Sequence, residues 1–168
     1  MARDIFSSPD HFTTESIRTI WLPFIFTDTS LLHASLLTAA SFFGSPPEPQ
    51  QHPIDILQLK GMTISAINES LSQDPSRPVS DQTIAAVLAL AQYEAFWGEP
   101  QAFNFHMGAL KNMIHMRGGL GGISSSLHGL LERVVLSVDY HASRAAGSKI
   151  SFDPAHFPSM IDHPALTS

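Results

Sequence analysis

The chain has 168 residues, carries a formal net charge of −6 and contains no cysteine. A chain of this length suits one domain with a sizeable core, since such a domain buries roughly 70% of the surface that its unfolded chain exposes. The nine Lys and Arg residues are scattered along the chain, which disfavours direct nucleic-acid binding because that binding needs clustered cations. The absence of cysteine excludes a disulfide framework, a cysteine nucleophile and every thiolate zinc site.

The N-terminus lacks the apolar run of a signal peptide, and no apolar stretch reaches membrane-spanning length. We therefore expect no membrane association, and a location in the nucleus or the cytoplasm. The hydrophobic share of 43% excludes wholesale disorder, and the charged share of only 14% favours a surface that is buried against a partner.

Apolar residues at helical spacing, interrupted by Pro, Gly and Ser, predict a chain built from helices. The predicted helices cover 17–26, a second segment capped by Asp28 or Thr29, 54–71, 82–97, 101–117 and 127–145. Residues 1–12 and 148–168 are expected to be irregular, and 44–49 an extended connector. No run of useful length alternates with a period of two. The prediction is one all-α domain over residues 1–168, a multi-helix bundle or layered helical domain of about six helices.

The helix at 82–97, with Asp81 as its expected N-cap, is apolar on almost every side and is therefore expected in the middle of the bundle. The other helices have apolar stripes that predict which face meets the core. These stripes are Leu32, Leu36, Ala39, Ala40 and Phe43; then Leu57, Gly61, Ile64, Ile67 and Leu71; and finally Leu127, Leu130, Leu131, Val134, Val135, Val138, Ala142 and Ala145, after which Gly147 ends the last helix.

The segment 116–122, MRGGLGG, follows the predicted helix at 101–117. Its glycines do not form a dinucleotide fingerprint, no strand precedes them, and no Gly-Lys-Ser/Thr sequence occurs. Glycine just past a helix end adopts the left-handed conformation that closes a Schellman turn, and a cation such as Arg117 in the last turn complements the helix dipole. We interpret this cluster as a helix terminator and not as a phosphate loop.

Nine histidines raise the question of a metal site, but no HExxH motif occurs. His128 and Glu132 have i, i+4 spacing, which we interpret as a polar pair at a helix edge, and His141 is interpreted as a hydrogen-bonded core histidine. The serines at 124–126 lack the Gly-x-Ser-x-Gly arrangement of a nucleophile and are interpreted as N-capping residues. We predict no catalytic, cofactor-binding or metal-binding residue.

One ion pair is a specific hypothesis from helical phase. Asp139 lies on the border of the last helix's apolar stripe, where it could meet Arg117 and lock the glycine turn to that helix. The alternative is two independent surface charges, with Asp139 and Glu132 on one solvated flank.

The run SDQTIAAVLALAQYEAFWGEPQAFNFHMGALKNMIHMRGGLGGI, followed by LLERVVLSVDYHASRAAGSKISFDP, resembles the fungal-specific transcription factor domain. This is the helical regulatory region that lies C-terminal to the zinc binuclear cluster in many filamentous-fungal regulators. The likeness covers about 30–155, and its most specific part is Arg-Gly-Gly-Leu. Ala109 and Ile114 depart mildly from the residues that the family pattern has at these positions. The positions that fit the family pattern are His106, Gly108, Leu110, Met113, Arg117, Gly118, Gly119, Leu120, Asp139 and Ala142.

The resemblance implies a nuclear regulatory domain that is not an enzyme, has no cofactor, and acts through protein contacts or response to a small-molecule effector. A protein partner or a homo-oligomer is expected. The six-cysteine cluster that reads DNA in the family is absent from these residues, so DNA contact is expected only indirectly, through a separate or missing zinc-cluster module.

Two other functions stay open at this point. One is a stand-alone small-molecule binder or enzyme with an apolar pocket between helices, in which His106, His115 or His141 would be polar handles. The other is a purely structural assembly subunit.

Overall fold

The computed structural model describes residues 14–43, 56–73 and 76–152. The residues predicted to be irregular, 1–12 and 148–168, lie outside the described residues except for 148–152, which form no regular secondary structure; the predicted connector at 44–49 also lies outside them. Within them the secondary structure is entirely helical, as the sequence predicts, and there are six helices. No helix in these ranges is long and apolar enough to cross a membrane.

The first helix, α1, is continuous but changes type: an α-helical turn at Thr14–Ser16 passes into a π-helical segment at Ile17–Trp21 and returns to α-helix at Leu22–Ile25. The remaining helices are α2 at Thr29–Phe43, α3 at Ile56–Gln73, α4 at Asp81–Trp97, α5 at Pro100–Met116 and α6 at Leu130–Ala145. Asp28 caps α2, since its Oδ1 accepts a hydrogen bond from the Leu31 N–H at 3.1 Å.

Helix α4 is the centre of the fold, as its apolar sequence predicts, and it contacts α2, α3, α5 and α6. Ten of its residues are buried, among them Ile84, Ala86 and Ala91 with no exposed surface. The predicted N-cap is wrong by one residue. Ser80 is the cap, because its Oγ accepts from the Thr83 N–H at 3.1 Å, and Asp81 is the first helical residue.

The predicted core face of α2 is wrong in phase, and that of α3 is right only in part. In α2 the buried apolar residues are Leu31, Ala34 and Leu37, whereas Leu36 is 47% exposed. In α3 the predicted Ile67 is buried and the predicted Ile64 packs against the core, whereas Leu57 is 74% exposed and Thr63 is buried. Both helices have apolar residues on more than one side, so that periodicity does not select a face, and the buried Thr63 hydroxyl donates to the Leu59 carbonyl within its own helix at 2.8 Å.

The core face of α6 is confirmed for six of its predicted residues, namely Leu130, Leu131, Val134, Val135, Val138 and Ala142. Leu127 lies before the helix with a positive φ of 52°, and Ala145 is exposed. The serines at 124–126 do not cap α6. Gly129, with φ +82°, precedes it instead, because a left-handed turn brings the chain into the helix.

Candidate functional site

The glycines after α5 close the helix in a Schellman turn. Gly118 has a φ of +93°, its N–H donates to the His115 carbonyl, and the Gly119 N–H donates to the Ile114 carbonyl, both at 2.9 Å. These are the two hydrogen bonds that define the motif. The same pair of bonds ends α6 at Gly147 and Ser148. The cluster in MRGGL is therefore a helix terminator, as its spacing predicts.

Arg117 is held by the N-terminal end of α4. Its Nη1 lies 2.9 Å from Asp81 Oδ1 and donates a 2.6 Å hydrogen bond to the Val79 carbonyl. Both side chains are about three-quarters buried. The predicted pairing of Arg117 with Asp139 is wrong, because the turn after α5 directs the guanidinium toward the start of α4. Arg117 does connect two helices, but these are α5 and α4.

Asp139 has no exposed surface, so the predicted solvated flank is also wrong. Its Oδ2 accepts hydrogen bonds from the backbone N–H groups of Ser151 and Phe152, both at 2.8 Å. The Ser143 hydroxyl, one turn along α6, donates to Oδ1 at 3.1 Å. A buried carboxylate is stable when several donors satisfy it, and here those donors fix the segment after α6 against the helix.

Glu94 is a buried carboxylate that the sequence reasoning missed. Its side chain is fully buried in α4, forms an ion pair with Lys60 of α3, and accepts from the Glu99 N–H at 3.1 Å. A Cβ at Gly98 would collide with this carboxylate, which explains the glycine between α4 and α5. The signal was present, since Glu94 lies four residues after Leu90 on the buried face of an apolar helix.

His106 of α5 belongs to the same group of charges. It is half-buried, and burial lowers its pKa below the ordinary value of 6.5. The carboxylate of Glu94 opposes that shift and the ammonium of Lys60 adds to it. Lys60 also lies 5.4 Å from the centre of the Tyr93 ring. We call Lys60, Glu94 and His106 the charged cluster; its ion pair joins α3 to α4, and His106 of α5 lies within the electrostatic influence of that pair.

An aromatic group at the end of α4 was also missed. The rings of Phe42 and Trp97 pack edge to face with centroids 4.0 Å apart, and Phe96 and Tyr93 adjoin them. Trp97 remains 44% exposed. Phe42 was not recognised because the stripe assigned to α2 had the wrong phase.

Three other residues that fit the family pattern lie in or against the core. Leu110 and Met113 are buried in the core, and Leu120 packs against it from the short 3-10 turn at Leu120–Gly122. These positions are therefore dispersed through the scaffold and do not converge on a cleft; their regulatory role stays a prediction.

The histidines that the structure describes likewise do not converge. His115 and His128 are exposed, and His141 is half-buried with its ring centroid 5.2 Å from that of Tyr140. In the part of the chain that the structure describes, no three His, Asp or Glu side chains lie where they could share a metal ion.

Comparison with known protein families gives one match. A model described as the fungal specific transcription factor domain matches residues 1–167, which is nearly the whole chain. Searches of curated proteins and of solved structures gave no match. The 168 residues contain no cysteine and hence no zinc cluster. The matched residues include Arg117, which joins α5 to α4, and Asp139, which holds the segment after α6. The chain therefore belongs to the fungal specific transcription factor domain family.

Proposed function

We propose that this chain is a nuclear regulatory module that acts through protein contacts and does not itself read DNA. The family is one of transcription-factor regulatory domains and not of enzymes, and we propose no reaction. The proposal is carried by the large apolar side chains that face solvent on a scaffold locked by buried polar contacts. The most exposed of them are Leu57 and Phe105 at 74%, Phe26 at 73% and Met116 at 67%.

The test joins the full chain to an unrelated DNA-binding domain and measures transcription from a reporter that carries that domain's site. We expect the fusion to change reporter output relative to the DNA-binding domain alone. The isolated chain is expected to give no sequence-specific gel shift, because its cations are scattered. Unchanged reporter output, or tight sequence-specific DNA binding by the chain alone, would refute the proposal.

Effector response is the second candidate function, and the charged cluster favours it. Lys60, Glu94 and His106 come from three different helices, so that a polar small molecule bound there would change how these helices pack. A thermal-shift screen of small acids and bases tests this. Stabilisation of the wild-type chain that is lost in Glu94→Gln supports effector binding, and no stabilisation by any compound contradicts it.

A further inference from the structure

Helix α5 has apolar side chains on two opposite sides. Phe103, Met107, Leu110 and Ile114 are buried on the side that packs against α4. Phe105 and Met116 are 74% and 67% exposed on the other side. They are eleven residues apart, which on an α-helix places them within about 20° of each other and about 16 Å apart along the axis. They therefore form the two ends of one outward stripe.

Gly108 lies between them along α5, about 60–80° round the helix from this stripe. Nothing in the described structure requires a glycine there, because a Cβ would meet no atom within 4 Å. Glycine inside a helix costs about 0.5–1 kcal/mol relative to alanine. A partner backbone that approaches α5 closely at this point would explain why the residue is a glycine.

The formal charge of α5 is positive. Lys111 is exposed on it, about 120° round the helix from Phe105, and Pro100–Met116 contains no Asp or Glu, although the whole chain has a net charge of −6. The segment after α6 lies beside α5, because the Ser148 hydroxyl donates to Asn104 Oδ1 at 3.2 Å. That segment adds the exposed Lys149 and Ile150. The nearest carboxylate in sequence is Glu99, before the helix.

We propose that Phe105, Met116 and Ile150, flanked by Lys111, His115 and Lys149, form a docking surface for an acidic amphipathic helix of a partner protein. The apolar side chains of that helix would cover Phe105 and Met116, and its carboxylates would face the two lysines. A second copy of this chain fits less well, because a two-fold axis on α5 would bring the same cations together. The inference rests on the proposed function and states which protein contact the module makes.

The test uses the full chain and three labelled synthetic peptides of equal length: an acidic amphipathic helix with Leu and Phe on one face, the same helix with Lys in place of Glu, and a scrambled acidic peptide. Fluorescence anisotropy gives the affinity of each. We expect the acidic helix to bind more than 10-fold more tightly than the other two, and to weaken as the salt concentration rises from about 0.05 M to about 0.5 M.

The double variant Phe105→Ala/Met116→Ala is expected to lose at least 10-fold in affinity, and Lys111→Glu/Lys149→Glu to lose the salt dependence. The matched control is Leu57→Ala, which removes an equally exposed apolar side chain from α3 and is expected to bind normally. Circular dichroism checks that each variant is folded. Equal binding of all three peptides, no binding of the acidic one, or unchanged binding by the double variant would overturn the inference.

Two further measurements separate the outcomes. A wild-type chain that sediments as a dimer and a double variant that sediments as a monomer would overturn the inference in favour of a second copy. In the reporter fusion, an active wild type with an equally active double variant would overturn the inference and leave the proposed function standing. An inactive wild-type fusion refutes the proposed function itself.

Discussion

The guanidinium of Arg117, at the end of α5, lies 2.9 Å from the carboxylate of Asp81 in the first turn of α4. The two helices follow each other in the chain and run antiparallel. This contact therefore joins the two helix ends that lie away from the connecting turn. The opposite end is closed by Glu94, which accepts from the Glu99 N–H in the turn between the helices. Both ends of the α4–α5 pair are thus fixed by buried or half-buried carboxylates.

Arg117→Ala removes both the ion pair with Asp81 and the hydrogen bond to the Val79 carbonyl. We expect the free energy of unfolding to fall by about 1–3 kcal/mol, because a charged hydrogen bond is lost and a carbonyl is left without its donor. Urea denaturation followed by circular dichroism measures this. Arg77→Ala is the control, since Arg77 is exposed and is expected to change stability little. Equal stabilities for the two variants would contradict a stabilising role for the contacts of Arg117 with Asp81 and Val79.

Asp139→Asn keeps the shape of the side chain but removes the charge and one acceptor oxygen. The amide cannot accept from Ser151, Phe152 and Ser143 as the carboxylate does, so we expect a loss of about 2–3 kcal/mol. Amide hydrogen exchange at Ser151 and Phe152 should accelerate, which distinguishes a broken cap from a general loss of stability. The exposed Glu69→Gln on α3 is the control. Unchanged exchange at both amides would show that the carboxylate does not hold this segment.

The all-helical fold could be predicted because Pro, Gly and Ser separate runs with a clear helical period. The central position of α4 followed from the lack of a polar face, and the turn at Gly118 from the glycine that follows the last turn of α5. These are local properties, which depend on residues within a few positions of each other.

The partners of charged residues could not be predicted in the same way. Arg117 is 36 residues from Asp81 in sequence, and which carboxylate it meets depends on how α4 and α5 pack and on where the turn directs the guanidinium. The phase of α2 was ambiguous because Leu32, Leu36 and Leu37 present apolar surface on adjoining sides. Tertiary packing, which the sequence period does not encode, decides both.

Two glycine substitutions of opposite sign test the steric surroundings of α5. Gly108→Ala is expected to raise the free energy of unfolding by about 0.5–1 kcal/mol, since the site is helical and open. Gly98→Ala is expected to lower it by at least about 2 kcal/mol, because the new Cβ would displace the buried Glu94 carboxylate. Thermal and urea denaturation compare the two. A destabilised Gly108→Ala variant would contradict an open site.

His106 makes stability depend on pH. Burial lowers the pKa of His106 below 6.5, so that between the two pKa values the unfolded chain binds more protons than the folded one, and stability rises with pH. Above about pH 6.5 we expect His106 to cause no loss of stability through proton binding. As the pH falls below that value, the free energy of unfolding is expected to decrease progressively. His106→Gln should therefore flatten the stability profile there, whereas the exposed His115→Gln should not. An NMR titration of His106 with a midpoint above 6.5 would contradict the assignment.

The charged cluster is best tested by a double-mutant cycle, because each single change leaves a charge without its partner. Lys60→Met leaves the fully buried Glu94 carboxylate uncompensated and is expected to cost about 2–4 kcal/mol. Glu94→Gln removes that charge, so adding it to Lys60→Met should restore part of the loss. The coupling energy from urea denaturation of the four proteins is expected to be about 1–3 kcal/mol. Purely additive effects would mean that Lys60 and Glu94 stabilise the fold independently, and the packing of α3 on α4 would then depend on other contacts, such as the buried Ile67 and the 3.1 Å hydrogen bond between the Ser70 and Thr83 hydroxyls.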